Sequence, residues 1–482
     1  MTGDICKQLR RFAGAAAVGI VACGLALGPA TAANLGGDCC ADLEERVAEL
    51  EATTVRKGNR KVSVKLSGHV NRMLLWWDDG VNDDVYSVDN SQSETQFRLT
   101  GSAGIMPGLS AGFLIEAEVV SAESDEVSAR VDGAANENID GRVLNRRTSF
   151  HLKHDQLGKI TVGREAPATR YLITLNLAKN PVADARPKWG GNFHLVRPQG
   201  SSGCTGAACR TGLDMDVLSP NLNTTRGDIV RYDSPSLFGL VISSSWGEDD
   251  LADITIRYKK EWNSIRLVAG IGYLWFTDET EVPAGAASLF KTGVIACPPP
   301  GLGQASCVEQ RQDFEELKGS ASAMHVPTGL YLYGAFVHRD PGRSISSPLR
   351  ANTYTAPVTD QDAEDATMWY LQAGIKRRLL APSLGATTLY GEYQQFDDFG
   401  VRIDAAPITG FARGASEITD SSVEIWGLGI VQDIDPAAMK LYAALRYWEN
   451  DVRVATEPTA PAGQDVPLED FVAVAFGGKI SF

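Results

Sequence analysis

Asp470–Phe482 reads DFVAVAFGGKISF, and its pattern decides how the rest of the chain is read. From Val472 the even positions are Val472, Val474, Phe476, Gly478, Ile480 and Phe482, while Ala473, Ala475, Gly477, Lys479 and Ser481 are small or polar. A two-residue period of this kind is a strand with one apolar face. In a soluble protein that face would meet a core; in a membrane barrel it would meet lipid. Whether the pattern repeats along the chain separates the two.

It repeats. From Lys61 onward Val62, Val64, Leu66, Val70, Leu74 and Trp76 alternate with Ser63, Lys65, Ser67, His69 and Asn71. Phe97, Leu99, Ala103 and Ile105 alternate with Gln96, Arg98, Thr100 and Ser102, and after a Pro107-Gly108 turn Leu109, Phe113, Ile115 and Val119 alternate with Ser110, Gly112, Glu116 and Glu118. Sixteen candidate strands follow, near 61–77, 96–106, 109–120, 143–154, 159–165, 228–233, 239–246, 253–261, 265–276, 314–325, 330–338, 367–377, 386–396, 422–432, 439–448 and 470–482. Short turns alternate with long loops at 78–95, 121–142, 166–227, 277–313, 339–366, 397–421 and 449–469, with 247–252 the one brief member. An even strand number with short turns at one end and long loops at the other predicts an all-β, sixteen-stranded antiparallel transmembrane barrel over residues 61–482. A soluble sandwich would turn its large aromatics inward. Here they gather near strand ends, at Trp76-Trp77, Trp246, Tyr273 to Phe276, Trp369-Tyr370, Tyr447-Trp448 and Phe482, as interfacial girdles do. The last strand must pair with 61–77, because an unpaired edge cannot stand in hydrocarbon.

The first residues are read as targeting. Lys7, Arg10 and Arg11 form a basic region, Phe12 to Leu27 an apolar one, and Ala30-Thr31-Ala32 fits a small-x-small cleavage site, so residues 1–32 are expected to be a signal peptide. A rival reading places a lipoprotein site at Cys23. Residues 33–60 differ from everything after them: Leu43, Val47, Leu50 and Thr54 have helical spacing, and Gly58-Asn59 stops the run, which gives a short periplasmic helical leader. Fewer than two heptads do not hold a coiled coil alone. The alternative is a disordered leader.

With 45 basic and 60 acidic residues the formal charge is −15, and loss of Lys7, Arg10, Arg11 and Asp4 makes the remainder more negative by two charges. Such a balance excludes nucleic acid as the expected partner. Cys39, Cys40, Cys204, Cys209, Cys297 and Cys307 remain after cleavage, in a compartment that favours pairing. Cys204 and Cys209 are disulfide candidates that would clip the third long loop, and Cys297 and Cys307 would clip the fifth. The histidines are scattered; His151 and His154 sit three apart, which on a strand points them to opposite faces, so neither metal nor cofactor is expected. Neither a nucleophile elbow nor a phosphate loop is present.

The DCCADLEERVAELEATTVRKGNRKVSVKLSGHVN segment at 38–71, the SFHLKHDQLGKITVGREA hairpin at 149–166 and the terminal GGKISF resemble the general porins of the alphaproteobacterial outer membrane. That resemblance implies a homotrimer of barrels in the outer membrane, set in lipid and lipopolysaccharide, passing small hydrophilic solutes and ions without catalysis. It implies that the third long loop, 166–227, folds into the pore as a constriction; the alternative is an extracellular lid. It also implies that Phe482 is read by the barrel assembly machinery. Within the lumen Arg98 and Arg147 follow their strands' polar parity, Arg231 is a further candidate, and Asp184, Asp214 and Asp216 lie on the loop, where arginines opposite carboxylates would set a transverse field. Two other functions stay open. A solute-specific channel would be blocked saturably by one ligand, and a structural barrel tethered to peptidoglycan through its leader would conduct little.

Overall fold

The computed structural model describes residues 62–130, 142–201, 204–247, 250–283, 307–340, 365–401, 416–456 and 460–482. The expected signal peptide (1–32) and leader (33–60), Cys39, Cys40 and Cys297 lie outside the described residues.

In chain order the strands are β1 (Ser63–Asp78), β2 (Asp83–Asp89), β3 (Gln96–Met106), β4 (Leu109–Val119), β5 (Val143–His154), β6 (Gly158–Glu165), β7 (His194–Val196), β8 (Arg210–Asp214), β9 (Gly227–Asp233) and β10 (Leu240–Gly247). They continue with β11 (Ala252–Trp262), β12 (Ile265–Pro283), β13 (Cys307–His325), β14 (Leu330–Asp340), β15 (Ala366–Arg377), β16 (Thr387–Asp397), β17 (Ser416–Ile434), β18 (Met439–Thr456), β19 (Ala460–Val466) and β20 (Phe471–Ser481). Leaving aside β7 and β8, which pair only with each other, eighteen strands share one sheet. Sixteen of them form a closed antiparallel barrel, each paired with the next in sequence, and β20 pairs with both β18 and β1. The remaining two, β2 and β19, are hairpin arms laid along the loop-side ends of β1 and β18.

Closure pairs the first and last strands as expected, with His69 opposite Ser481 and Asp78 opposite Val472. Phe482 adds a final rung: the Gly68 N–H donates to its carbonyl at 2.9 Å and its own N–H donates to Gly68 O at 3.0 Å. No helix among the described residues is long and apolar enough to cross a membrane. The strands satisfy their backbone groups on one another instead, which hydrocarbon requires.

The outer face is the apolar parity. Leu66, Leu74, Phe150, Leu332, Leu371 and Leu428 expose between 46 and 62 % of their surface in the isolated barrel. Trp246, Trp262, Trp275, Trp369 and Trp426 stand outward with them. Trp77, Tyr370 and Trp448, grouped with the girdles by their place in the sequence, are buried instead. They belong to the inward parity, where Met73 and Leu75 join them, so part of the lumen wall is apolar. The strands also run longer than their alternation alone suggests: β12, β13, β17 and β18 each span 18 or 19 residues and project past the neighbouring strands.

Candidate functional site

Ala166 to Arg226, between β6 and β9, explains the apolar lumen. Its backbone carbonyls and N–H groups would be orphaned inside a barrel, and the wall supplies partners for them in order. Ala168 N–H donates to Ser245 Oγ at 2.7 Å, and the N–H and hydroxyl of Thr169 both donate to Asp253 Oδ2 at 2.7 Å. Ser320 and Tyr333 donate their hydroxyls to the carbonyls of Leu172 and Ile173. Asn176 Nδ2 then donates to Gln372 Oε1 at 2.7 Å, Lys376 Nζ to Ala178 O at 3.0 Å, and Gln394 Nε2 to Ala185 O at 2.9 Å. These wall groups lie on β10, β11, β13, β14, β15 and β16, so the loop travels round the inside of the barrel strand by strand. Glycine on the wall allows the approach: a Cβ at Gly270 or Gly272 would sit 2.8 or 2.7 Å from the Leu172 side chain.

Past Ala185 the loop is packed by apolar contact. Trp189 and Phe193 are fully buried, and the Phe193 ring lies 4.9 Å from Trp77 on β1 and 4.8 Å from Phe471 on β20. Fully burying a side chain of this size contributes roughly 1.5–3 kcal/mol. Arg446 on β18 locks the same point, donating Nε to Glu392 Oε1 at 2.7 Å, placing its guanidinium 4.8 Å from the Trp189 ring and reaching Asp184 O at 3.3 Å. The returning limb holds the β7–β8 hairpin and the Cys204–Cys209 disulfide, with a Cα separation of 5.0 Å.

The arginines named from sequence are placed as follows. Arg98 Nη2 meets Glu116 Oε2 at 2.7 Å, Arg147 pairs with Glu165 and lies 3.7 Å from Glu116, and Arg231 meets Asp233 Oδ1 at 2.7 Å while donating to Ala166 O at 3.0 Å. Their ion pairs among the described residues are with carboxylates of the wall strands. Asp184 pairs instead with Arg186 of its own loop at 2.6 Å, Asp214 faces His194 at 2.7 Å, and the Asp216 N–H donates to Gly191 O at 2.9 Å. The three wall arginines thus meet wall carboxylates, while Lys188 and Arg210 of the third loop reach Asp125 and Asp79 on other segments.

Arg146 went unnoticed because simple alternation puts it on the lipid face. A β-bulge pairs Glu116 with Arg147 but Ala117 with Asn145, so Arg146 is extra and turns inward with its neighbour. It reaches Glu118 at 2.8 Å and also meets Glu94, which stands on the 90–95 segment folded in from β2. Gln92 of that segment bonds Asp184.

Beside them the 120–130 segment carries an acidic group. Burial pushes the Glu123 carboxyl up, Asp125 and Glu118 push it further, and it reaches about 10. Burial also raises Asp125, but Lys188 of the third loop outweighs it and holds Asp125 below the usual carboxylate range. Among the described residues no group of three or more His, Cys, Asp or Glu side chains is arranged to hold a metal ion.

A closed sixteen-stranded barrel, apolar outside, with a long loop wound along its inner wall, defines a membrane-channel architecture. A sequence model of the Gram-negative porin family matches residues 15–453, and the chain belongs to that family. It is therefore an outer-membrane diffusion channel that crosses the membrane with strands. Among solved structures the chain is similar to the anion-selective porin from Comamonas acidovorans, at 15 % identity and a TM-score of 0.49, covering 87 % of this chain and 100 % of that one. It is also similar to the outer-membrane channel DcaP of Acinetobacter baumannii (11 %, 0.46, 88 % and 99 %) and to Salmonella typhi OmpF in complex with daunomycin (13 %, 0.45, 88 % and 98 %). The family match, not these distant likenesses, carries the assignment. No curated protein matches the chain.

Proposed function

We propose that this porin passes small hydrophilic solutes and ions passively, that loop 166–227 is its constriction, and that it works as a homotrimer without enzymatic activity. The inward course of Ala168 to Ala185, bonded to the inner faces of six strands, carries the constriction reading. A lid over the mouth would not place Leu172 against Gly270 and Gly272. Arg98, Arg147, Arg231, Asp184, Asp214 and Asp216 tune the ion balance, with Arg98 and Arg147 offsetting Glu116 and Glu165 along one wall. The resemblance of 38–71 and 149–166 to the alphaproteobacterial branch supports an origin there. It also supports cleavage after Ala32, lipopolysaccharide as neighbour, recognition of Phe482 by the assembly machinery, and a helical leader that contacts peptidoglycan.

The test is single-channel conductance with reversal potential in a salt gradient, paired with liposome swelling in neutral solutes of increasing size. A constricted general pore conducts in steps, and its swelling rates fall steeply with solute size. Permeation of one solute alone would favour a solute-specific channel, and absence of conductance would favour a structural barrel.

A further inference from the structure

Hydrogen-bond donors outnumber acceptors at the root of the third loop, where residues 168–171 leave the wall and 222–226 return. Arg170 is 8 % exposed; it spends one Nη on Thr224 O and lies 5.2 Å over the Tyr171 ring, and its Nε has no partner. Asn223 is 5 % exposed; its Oδ1 accepts the Tyr171 N–H at 2.8 Å, and its Nδ2 has no partner. Arg226 donates Nη2 to Tyr171 Oη at 3.3 Å, and its Nε is buried and unpartnered. Neither arginine forms an ion pair among the described residues.

The acids close by are already engaged. Asp253 accepts from Ser245 N–H on one oxygen and from Thr169 on the other, and Asp233 holds Arg231. Glu316 is shared between Lys318 and Arg339. A buried guanidinium with spare N–H groups is costly unless something anionic completes it. Tyr171 reports the same excess of positive charge. Burial pushes its phenol up, yet Arg170 and Arg226 outweigh burial and bring it down to about 8. Tyr171 also holds φ +66°, a left-handed backbone that a bulky residue adopts only where its surroundings impose it. That conformation keeps its N–H on Asn223 and its phenol between the two arginines.

We infer that Arg170, Asn223 and Arg226 form a binding site for a small oxyanion such as phosphate. Two guanidinium groups provide charge-assisted donors matched to oxyanion geometry, and the Asn223 amide provides a neutral third. Arg226 and Tyr171 keep part of their surface open, so the site is reachable from solvent. Recognition by charge, not by the body of a solute, is compatible with a channel that passes many solutes.

The inference rests on the loop lying in the conducting lumen, and two measurements keep the two readings apart. Titration calorimetry of the detergent-solubilised full chain with inorganic phosphate needs no conduction; it is expected to show saturable binding, weakened at least tenfold by Arg226→Gln and by Asn223→Leu. In planar bilayers phosphate added to KCl is expected to reduce the current saturably, with the half-blocking concentration raised by the same factor in those variants. Arg226 is partly exposed, so its variant tests the site without removing a buried brace. Absence of phosphate binding in the calorimeter, or binding unchanged in both variants, overturns the oxyanion site. Binding with no effect on current retains the site and overturns its position in the conducting path.

Discussion

Arg446 on β18 and Glu392 on β16 lie two strands apart and meet at 2.7 Å across the inner face of the barrel, each almost wholly buried. Tyr370 also donates its hydroxyl to Glu392, and the Arg446 guanidinium covers Trp189. The pair therefore joins the wall to the third loop at the point where the loop turns from hydrogen-bonded to apolar packing.

Removing one member of such a pair leaves the other charge buried without compensation, at a cost of about 3–5 kcal/mol. Arg446→Met is expected to lower stability by that order in urea unfolding of the reconstituted barrel, and to increase open-channel noise as the loop loosens. The double variant Arg446→Met/Glu392→Met should recover most of the loss. A single variant as stable as the parent would show that the pair does not hold the loop.

Arg98 and Arg147 are balanced by Glu116 and Glu165. Replacing both arginines with Ser leaves those carboxylates uncompensated, so reversal potentials in a KCl gradient should move toward cation selectivity. An unchanged reversal potential would remove both residues from the conducting path.

Glu123 binds its proton more tightly in the folded chain than in the unfolded one, because burial and then Asp125 and Glu118 lift it from 4.5 to about 10. Between those values the folded state holds the extra proton, so this group's contribution to stability falls as pH rises through the window. Melting at pH 5 and pH 9 should therefore differ less in Glu123→Gln than in the parent, with the variant the more stable at pH 9. Equal pH dependence in the two proteins would count against the raised carboxyl.

Gly68 marks the seam of the barrel. A Cβ there would lie 2.6 Å from Gln96 O and 2.6 Å from the Phe482 ring, so Gly68→Ala must displace backbone or the terminal aromatic. Both Gly68→Ala and deletion of Phe482 should reduce the heat-modifiable folded form recovered from outer membranes. Full recovery of the deletion variant would argue against Phe482 as an assembly signal.

The alternating pattern of Asp470–Phe482, repeated fifteen times, was enough to find every strand of the barrel, because lipid on one side and water on the other impose a period of two wherever a strand crosses. It also placed Leu66, Phe97 and Ile115 outside, and the seam between β1 and β20. The short arms β2 and β19 were missed: DDVYSVD lies inside a run of acids and APAGQDV carries Pro and Gly, so neither shows clean alternation.

What alternation could not show is what fills the barrel. Trp77 packs inward against Phe193, more than a hundred positions away, and Met73 and Leu75 are buried in the same apolar cluster. Arg146 faces inward because one extra residue in β5 flips the parity locally. Arg98 and Arg147 meet cross-strand carboxylates whose register only the closed sheet sets. Sequence by itself determined the strands, their order and the membrane they cross, since those follow from local periodicity. Tertiary structure decided the course of the third loop and the ion pairs it makes, since these depend on which distant groups the closed wall brings within hydrogen-bonding reach.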